Sequence, residues 1–454
     1  MLRIPVQSRA NRAASAWVEV DLGAVAHNVS VWRSALPKSS RLLAVVKSNG
    51  YGHGMLRVAR TALAAGAEEL VVASVQEGAA LRSSGITAPI LIAGPIGPDE
   101  APVVVQNGLV ASIGSMELAS ALGRATRRYL PVHIEVDSGM TRYGVAPDEL
   151  GAFVRALEAR GRLSIAGVYT HFAGLGAGDV VDMRQQLSIF TQAVESVPSL
   201  RGVRRHVCNT VGAMLLPEAS LDGVRVGGGL YGFDPCRSQS IGAVSGDTVA
   251  AGDTVAAGSA SAASSASAAS SDHPLAGMTL RPALELKARV VGLRAAKVGD
   301  RVGYGGAFTC QRPTRLALLP IGYGDGLSRE IWRGADVLIR GRRAPIVGAI
   351  SMNQTVVDVT DLPEIAFGEE VVLIGEMDGQ RVTAEDRVPL GGCTYEVTSL
   401  LQARLPRIYR LPSEVHSQRS GVLPSERHGR CETPAQLEAR EGLAKQSLHR
   451  QRGV

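Results

Sequence analysis

Short apolar runs rich in Val, Ile and Leu recur through the first half of the chain, at 42–47, 70–75, 89–94, 109–113, 131–137, 165–170, 204–209 and 223–227. Their length and β-branched content predict strands. The intervening segments 55–66, 76–84, 115–126, 147–160 and 183–196 read as helices. Strands alternating with helices imply a parallel sheet. Eight such strands predict a closed (β/α)8 TIM-type barrel over 17–235. Alternation alone also fits an open, doubly wound sheet. The strand ends favour the barrel, because polar and reactive residues gather there: Lys47, the stretch from Glu135 to Arg142, His171, His206 with Asn209, and Arg225. Barrel enzymes build their sites on that face.

The pattern then breaks. Residues 250–271 are nearly all Ala, Ser and Gly, which marks 236–278 as a linker or insertion with little apolar area to bury. From 279 to 410, short β-rich runs such as LELKARVVGL and EEVVLIG are broken by Gly and Pro, predicting a mostly β C-terminal domain. Residues 1–16 read as an N-terminal extension and 411–454 as a largely disordered tail, apart from a short helical pattern around 434–448.

Composition narrows the class. The 454 residues are 45% hydrophobic and 20% charged, which fits a soluble globular protein with a large core. Aromatics are only 4%, against 52 glycines, so the core is aliphatic and the turns many. The net charge of +6 is spread along the chain without a dominant basic stretch, which argues against a nucleic-acid partner. Cys208, Cys236, Cys310, Cys393 and Cys431 are scattered with no CxxC pair, so neither a disulfide framework nor a metal site is expected. The basic N-terminus lacks the apolar core of a signal peptide, and no run reaches membrane-spanning length. A cytoplasmic protein with no membrane partner is expected.

The most informative segment is VVKSNGYGHG (45–54), an apolar strand ending in Lys47 and a Gly-rich turn that holds Tyr51. Alone, such a lysine equally reaches solvent. In a desolvated setting near other cations it becomes a nucleophilic amine. The string resembles the cofactor attachment motif of the alanine racemase family, and the opening WVEVDLGAVAHNV (17–29) is similar to that family's start. The resemblance runs from 17 to about 410, with many motifs in the same order.

The resemblance implies a pyridoxal 5'-phosphate enzyme that interconverts L- and D-alanine and supplies D-alanine for peptidoglycan. It makes Lys47 the Schiff-base lysine and Tyr51 a phosphate contact. It places Arg142 of DSGMTRYG (137–144) at the cofactor's phenolic oxygen and near the substrate. His171 of VYTHF (168–172) is similar to the histidine that contacts the catalytic tyrosine, and His206, Asn209 and Thr210 to a cluster beside the cofactor. Arg225 of RVGGGLYG (225–232) is similar to the arginine facing the pyridine nitrogen; Gly227 and Gly228 offer the phosphate backbone N–H groups, and Tyr395 of CTYE (393–396) a further hydroxyl. In the β domain, GYGGAF (303–308) implies Tyr304 as the second base; IGYGDG (321–326) and SMN (351–353) imply Tyr323 and Met352 on the substrate side. These three would enter the partner subunit's site, so a homodimer with shared sites is implied.

The chemistry needs these residue types. Racemisation removes a proton from one face of Cα and returns one to the other, so one base per face suffices. Tyrosine, with a reference pKa of about 10, needs nearby cations or donors to act as a base. His171 linked to Arg225 is suited to that. An arginine at the pyridine nitrogen keeps its own proton, leaves the ring unprotonated, and so restrains side reactions.

Two positions depart from the family pattern. Glu135 stands where many members carry a lysine that becomes carbamylated; glutamate is a permanent carboxylate, but too short to make direct contact with Arg142 expected. Asn353 stands where aspartate is usual, with a predicted effect on hydrogen bonding around Tyr304 or on substrate preference. The alternatives are a serine or broad-specificity racemase, an amino-acid decarboxylase on the related barrel, and a non-catalytic cofactor carrier. Arg225 argues against the decarboxylase, which would place an acid there, and the β domain argues against the carrier.

Overall fold

Strand β1 (Ala16–Asp21) and helix α1 (Leu22–Ala35) come first in the computed structural model, which describes residues 14–174, 176–233, 278–389 and 392–411. The expected extension up to residue 13, the insertion between 234 and 277, and the tail from 412 lie outside the described residues.

Eight parallel strands follow: β2 (Arg41–Val45), β3 (Glu69–Val72), β4 (Ile90–Ile92), β5 (Val110–Ile113), β6 (Leu130–Glu135), β7 (Leu163–Tyr169), β8 (Arg204–His206) and β9 (Gly223–Val226). Each overlaps one of the apolar runs. Strand β2 pairs with both β3 and β9, and the sheet continues in sequence order to β8. Backbone bonds from Asp222 N to Arg205 O and from Arg225 N to Cys208 O, both 3.0 Å, join the β8–β9 seam. The sheet is a nearly closed barrel, and the open alternative is excluded.

Alternation along the strands sets two layers. Leu42, Ala44, Leu70, Val72, Ile90 and Ile92 join the main core shared with the helices. Leu43, Val45, Val71 and Leu91 form a separate cluster, as the opposite faces of the same strands must. The helices are α2 (Met55–Ala64), α3 (Val75–Ser83), α4 (Ala101–Gln106), α5 (Met116–Ala125), α6 (Leu150–Glu158), α7 (Val180–Glu195) and α8 (Thr210–Leu215). Ser74 caps α3 and Ser115 caps α5, each accepting from a backbone N–H three residues on. Six-residue helices such as α4 and α8 carry too few turns to show a period, and the sequence did not reveal them.

The second layer is mostly β: β10 (Leu284–Arg289), β11 (Gly292–Ala296), β12 (Arg301–Val302), β13 (Phe308–Thr309), β14 (Thr314–Leu319), β15 (Asp336–Ile339), β16 (Arg342–Pro345), β17 (Thr355–Asp358), β18 (Glu370–Met377) and β19 (Gln380–Val382), then helix α9 (Thr394–Ser399) and β20 (Arg407–Arg410). Its largest sheet runs β16-β15-β18-β10-β1-β20. Strand β1, which no apolar run announced although 17–235 was assigned to the barrel, therefore belongs to this sheet. It lies antiparallel to β10 and parallel to β20. Lys287 ties the sheet together, with Nζ 3.4 Å from Glu19, 3.0 Å from Glu285 and 3.2 Å from Glu370. No described helix is long and apolar enough to cross a membrane.

Candidate active site

The barrel opens on a cavity of 250 Å³ at the carboxyl ends of its strands, lined among others by Lys47, Tyr51, Glu135, Arg142, His171 and Arg225. Lys47 directly follows β2. Val46 N still donates to Val71 O at 2.9 Å, and the Tyr231 hydroxyl donates to Val45 O at 2.9 Å, so the strand is held up to the lysine. The next residues turn left-handed: φ is 53° at Ser48, 54° at Asn49, 62° at Gly50 and 51° at Tyr51. Burial lowers the pKa of Lys47, the Arg142 charge lowers it further, and Glu77 opposes both.

This turn delivers Tyr51 over the glycine-rich end of β9. Its ring stacks on Tyr231 at 4.9 Å and meets Tyr395 edge-on at 5.7 Å. A Cβ on Gly227 would lie 2.7 Å from the Tyr51 hydroxyl, and one on Gly228 would lie 2.8 Å from the Tyr395 hydroxyl. Both hydroxyls therefore converge on a backbone that only glycine allows so close. Thr210 Oγ accepts from Gly227 N at 3.0 Å and Gly229 N at 3.4 Å. Asn209 caps α8 by accepting from Gly212 N at 2.8 Å. Three hydroxyls, backbone N–H groups and a nearby amine form a donor set suited to a phosphorylated aldehyde. Burial pushes the Tyr51 phenol up to about 12, so it stays protonated as a donor.

Arg225 lies wholly inside the protein. It donates to the carbonyls of Thr170 at 2.7 Å, His206 at 2.8 Å and Val207 at 2.9 Å, and to His206 Nδ1 at 2.6 Å. Its Nη2 also lies 3.4 Å from His171 Nδ1. A guanidinium only donates, so both imidazoles accept at Nδ1 and carry their proton on Nε2. His206 Nε2 then donates to His133 Nδ1 at 2.8 Å, which leaves the His133 proton on Nε2. That proton faces Arg204 Nη2 at 3.1 Å. Two donors cannot bond each other, so the chain of hydrogen bonds ends there. Arg204 is satisfied instead by Glu69, which also accepts from Arg41 at 2.8 Å. Burial, then the neighbouring guanidinium charges, drives His206 and His171 far below the usual histidine pKa. His133 falls to about 3 for the same reasons. All three are neutral at physiological pH.

Glu135 is buried at the cavity floor. It accepts from the Tyr169 hydroxyl at 2.6 Å, and Ser112 Oγ lies 2.6 Å from the same hydroxyl. The Tyr169 ring stacks on His206 at 4.8 Å, with the Arg225 guanidinium 5.0 Å from its centroid. Burial raises the Glu135 pKa against the Tyr169 hydrogen bond and the Arg225 charge. Among the described residues Glu135 makes no hydrogen bond to Arg142, as its length suggested.

Tyr304, Tyr323 and Met352 stand apart from this cavity, 68%, 41% and 57% exposed. The loops of Tyr323 and Met352 adjoin: Tyr323 N donates to Ser351 O at 3.1 Å and Gly324 N to Met352 O at 2.7 Å. Asn353 Nδ2 lies 3.4 Å from the buried Asp325 carboxylate, which also holds Gly322 N at 3.0 Å and pairs with Arg404 at 2.7 Å. The asparagine thus donates toward Asp325, where an aspartate would add a repelling charge. The expected effect on Tyr304 finds no direct contact among the described residues.

Sequence reasoning missed Tyr169, His133 and Glu77. Tyr169 sits in the VYTHF string beside His171, and His133 is an imidazole in an otherwise apolar strand. Glu77 follows its N-cap Ser74 by three residues, a pattern shared by most helix starts.

An eight-stranded barrel bearing a lysine, a phosphate cradle and a buried arginine, joined to a β domain that exposes tyrosines, defines a two-domain barrel enzyme. Residues 20–235 match the model of the alanine racemase N-terminal domain, and 283–409 that of the C-terminal domain. The chain is 37% identical over 401 residues to an alanine racemase of Desulfovibrio desulfuricans, covering 87% of this chain and 97% of that one. It is 38% identical over 400 residues to an alanine racemase of Symbiobacterium thermophilum, covering 87% and 96%. The crystal structure of alanine racemase from Bacillus anthracis with bound L-Ala-P superposes with a TM-score of 0.74 at 29% identity, covering 87% of this chain and 95% of that one. The chain belongs to the alanine racemase family, and with it to the isomerases.

Proposed function

We propose that the protein interconverts L- and D-alanine with pyridoxal 5'-phosphate, using Lys47 on one face of Cα and Tyr304 of the partner subunit on the other. The observation that carries this reading is Lys47 facing the same cavity as Arg225, above a cradle of tyrosine and threonine hydroxyls. Tyr51, Tyr395, Thr210 and the backbone at Gly227 and Gly228 would hold the phosphate. Asn209 and His206 brace the cradle and the arginine. The cofactor, when bound, supplies the electron sink that makes the substrate Cα–H acidic.

The residues do the rest. Lys47, with its lowered pKa, exchanges a proton as a neutral amine more readily than an exposed lysine. Arg225, which lines the cavity and offers donors only, would meet the cofactor's ring nitrogen and keep its own proton. Arg142 faces the cavity with no hydrogen-bond partner among the described residues, free to orient a substrate carboxylate or the phenolic oxygen. His171 takes the Arg225 guanidinium on Nδ1, which leaves Nε2–H to donate toward Tyr304 of the partner subunit and favour its phenolate. Tyr323 and Met352 of the partner subunit would bound the substrate side. Their exposure in the single chain supports a homodimer with shared sites. The role that follows is supply of D-alanine for peptidoglycan in the cytoplasm.

The test is chiral analysis of products from the cofactor-loaded protein with a panel of L-amino acids. Fast D-alanine formation with little D-serine supports the reading. Comparable turnover across the panel would replace the substrate, and no turnover with cofactor bound would remove the reaction.

A further inference from the structure

Three non-glycine side chains are placed by the left-handed turn after Lys47, at Ser48, Asn49 and, past Gly50, Tyr51. Each such residue costs roughly 1–2 kcal/mol relative to the right-handed form. Something outside the turn must offset that cost. The turn's own bonds, Gly50 N to Val46 O at 2.8 Å and Gly52 N to Ser48 O at 3.0 Å, leave Ser48 N without a partner inside it. That N–H donates to Glu77 Oε1 at 2.6 Å. The second carboxylate oxygen of Glu77 accepts from Ala73 N at 2.9 Å, at the end of β3. Glu77 therefore bridges two neighbouring βα junctions, one of them the first peptide after the lysine.

Both oxygens accept, so the group works as a charged carboxylate and not as a generic polar residue. His53 completes the clamp from the far side: its Nδ1 lies 2.9 Å from Tyr51 O and 3.1 Å from Gly50 O. Two carbonyls fix the proton on Nδ1.

We infer that Glu77 is a positioning residue that holds the left-handed turn in place and so sets Lys47 and Tyr51 for the cofactor together. This rests on the reading of Lys47 as the cofactor lysine. The role is separate from capping: Ser74 already caps α3, and the Glu77 side chain is spent on Ser48 and Ala73.

E77Q keeps the size but turns one acceptor into a donor facing an N–H. In the pyridoxal-phosphate-loaded dimeric protein, amide exchange over residues 46–54 should rise at least tenfold, with exchange in β5 to β7 unchanged. Cofactor loss on dilution should quicken by a similar factor. Ser48→Gly in the E77Q background should restore both, because glycine takes φ near 53° without penalty. A residue needed only for folding of α3 would not be rescued at Ser48. If E77Q does not fold, E77D, too short to span both amides, gives the same comparison. Wild-type exchange over 46–54 in E77Q or E77D, or failure of Ser48→Gly to restore protection, overturns the inference. The exchange arm involves no substrate, so it stands or falls apart from alanine turnover.

Discussion

Arg225 donates to His206 Nδ1 at 2.6 Å, and this contact fixes the proton position on both imidazoles of the barrel interior. Replacing His133 with Leu removes the acceptor of His206 Nε2–H and leaves a buried donor unsatisfied. The expected loss is about 1–3 kcal/mol of stability. Thermal unfolding of holoprotein checks this; an unchanged midpoint means the His206–His133 bond contributes nothing.

The same burial makes stability depend on acid. His53 falls to about 4 and His133 to about 3, both below the unfolded value of about 6.5. Between those values the unfolded chain binds protons that the folded one refuses, so stability is full above about pH 6.5 and lost as pH falls towards 4. Each group contributes at most about 1.4 kcal/mol per pH unit in that window. Urea midpoints at pH 7.5, 6.0 and 5.0 should fall in that order; a flat series would contradict the neutral burial of these rings.

Tyr304→Phe removes the proposed second proton-transfer group without touching the chain's own cradle. Racemisation should fall by about 100- to 10,000-fold in both directions while cofactor absorbance persists. Lys47→Ala should abolish borohydride-reducible attachment. Wild-type rates in Tyr304→Phe would end the two-base assignment.

Mixing those two inactive variants tests the shared site. In a twofold dimer each hybrid pairs one intact Lys47 with one intact Tyr304 across the interface. Equal mixing after subunit exchange should recover about a quarter of wild-type activity by random pairing. No recovery, with exchange verified by mass spectrometry, would place both bases in one subunit.

Glu135 brings its own carboxyl group and needs no carbon dioxide to form one, so activity should not respond to removal or addition of bicarbonate. Glu135→Gln weakens the acceptor for Tyr169 and, through it, the surface beneath Arg225. A several-fold fall in kcat is expected in steady-state kinetics. Activity equal to wild type would remove any role for the charge.

The barrel was legible because its strands are buried on both faces and read as unbroken β-branched runs, as at Leu42–Val46 or Ile90–Ile92. Strand β1 was not legible, because its partners β10 and β20 lie hundreds of residues away. Lys47, Tyr51, Arg142, His171 and Arg225, which line one cavity, were picked out by motif order. The supports were not: Glu77, His133 and Tyr169 act through pairings that no local spacing encodes. Nor does KSNGY announce a left-handed turn, since Ser, Asn and Gly suit many turns.

The β sheet places the chain's early and late segments side by side: β1 lies between β10 and β20, and Arg407 of β20 donates to Gly52 O at 3.1 Å, beside the lysine turn. During synthesis, then, the barrel strands emerge long before the piece that braces the turn after Lys47. A ribosome-bound chain halted before residue 407 would carry Lys47 in an unfinished setting. The turn after Lys47 would gain this contact only when β20 docks.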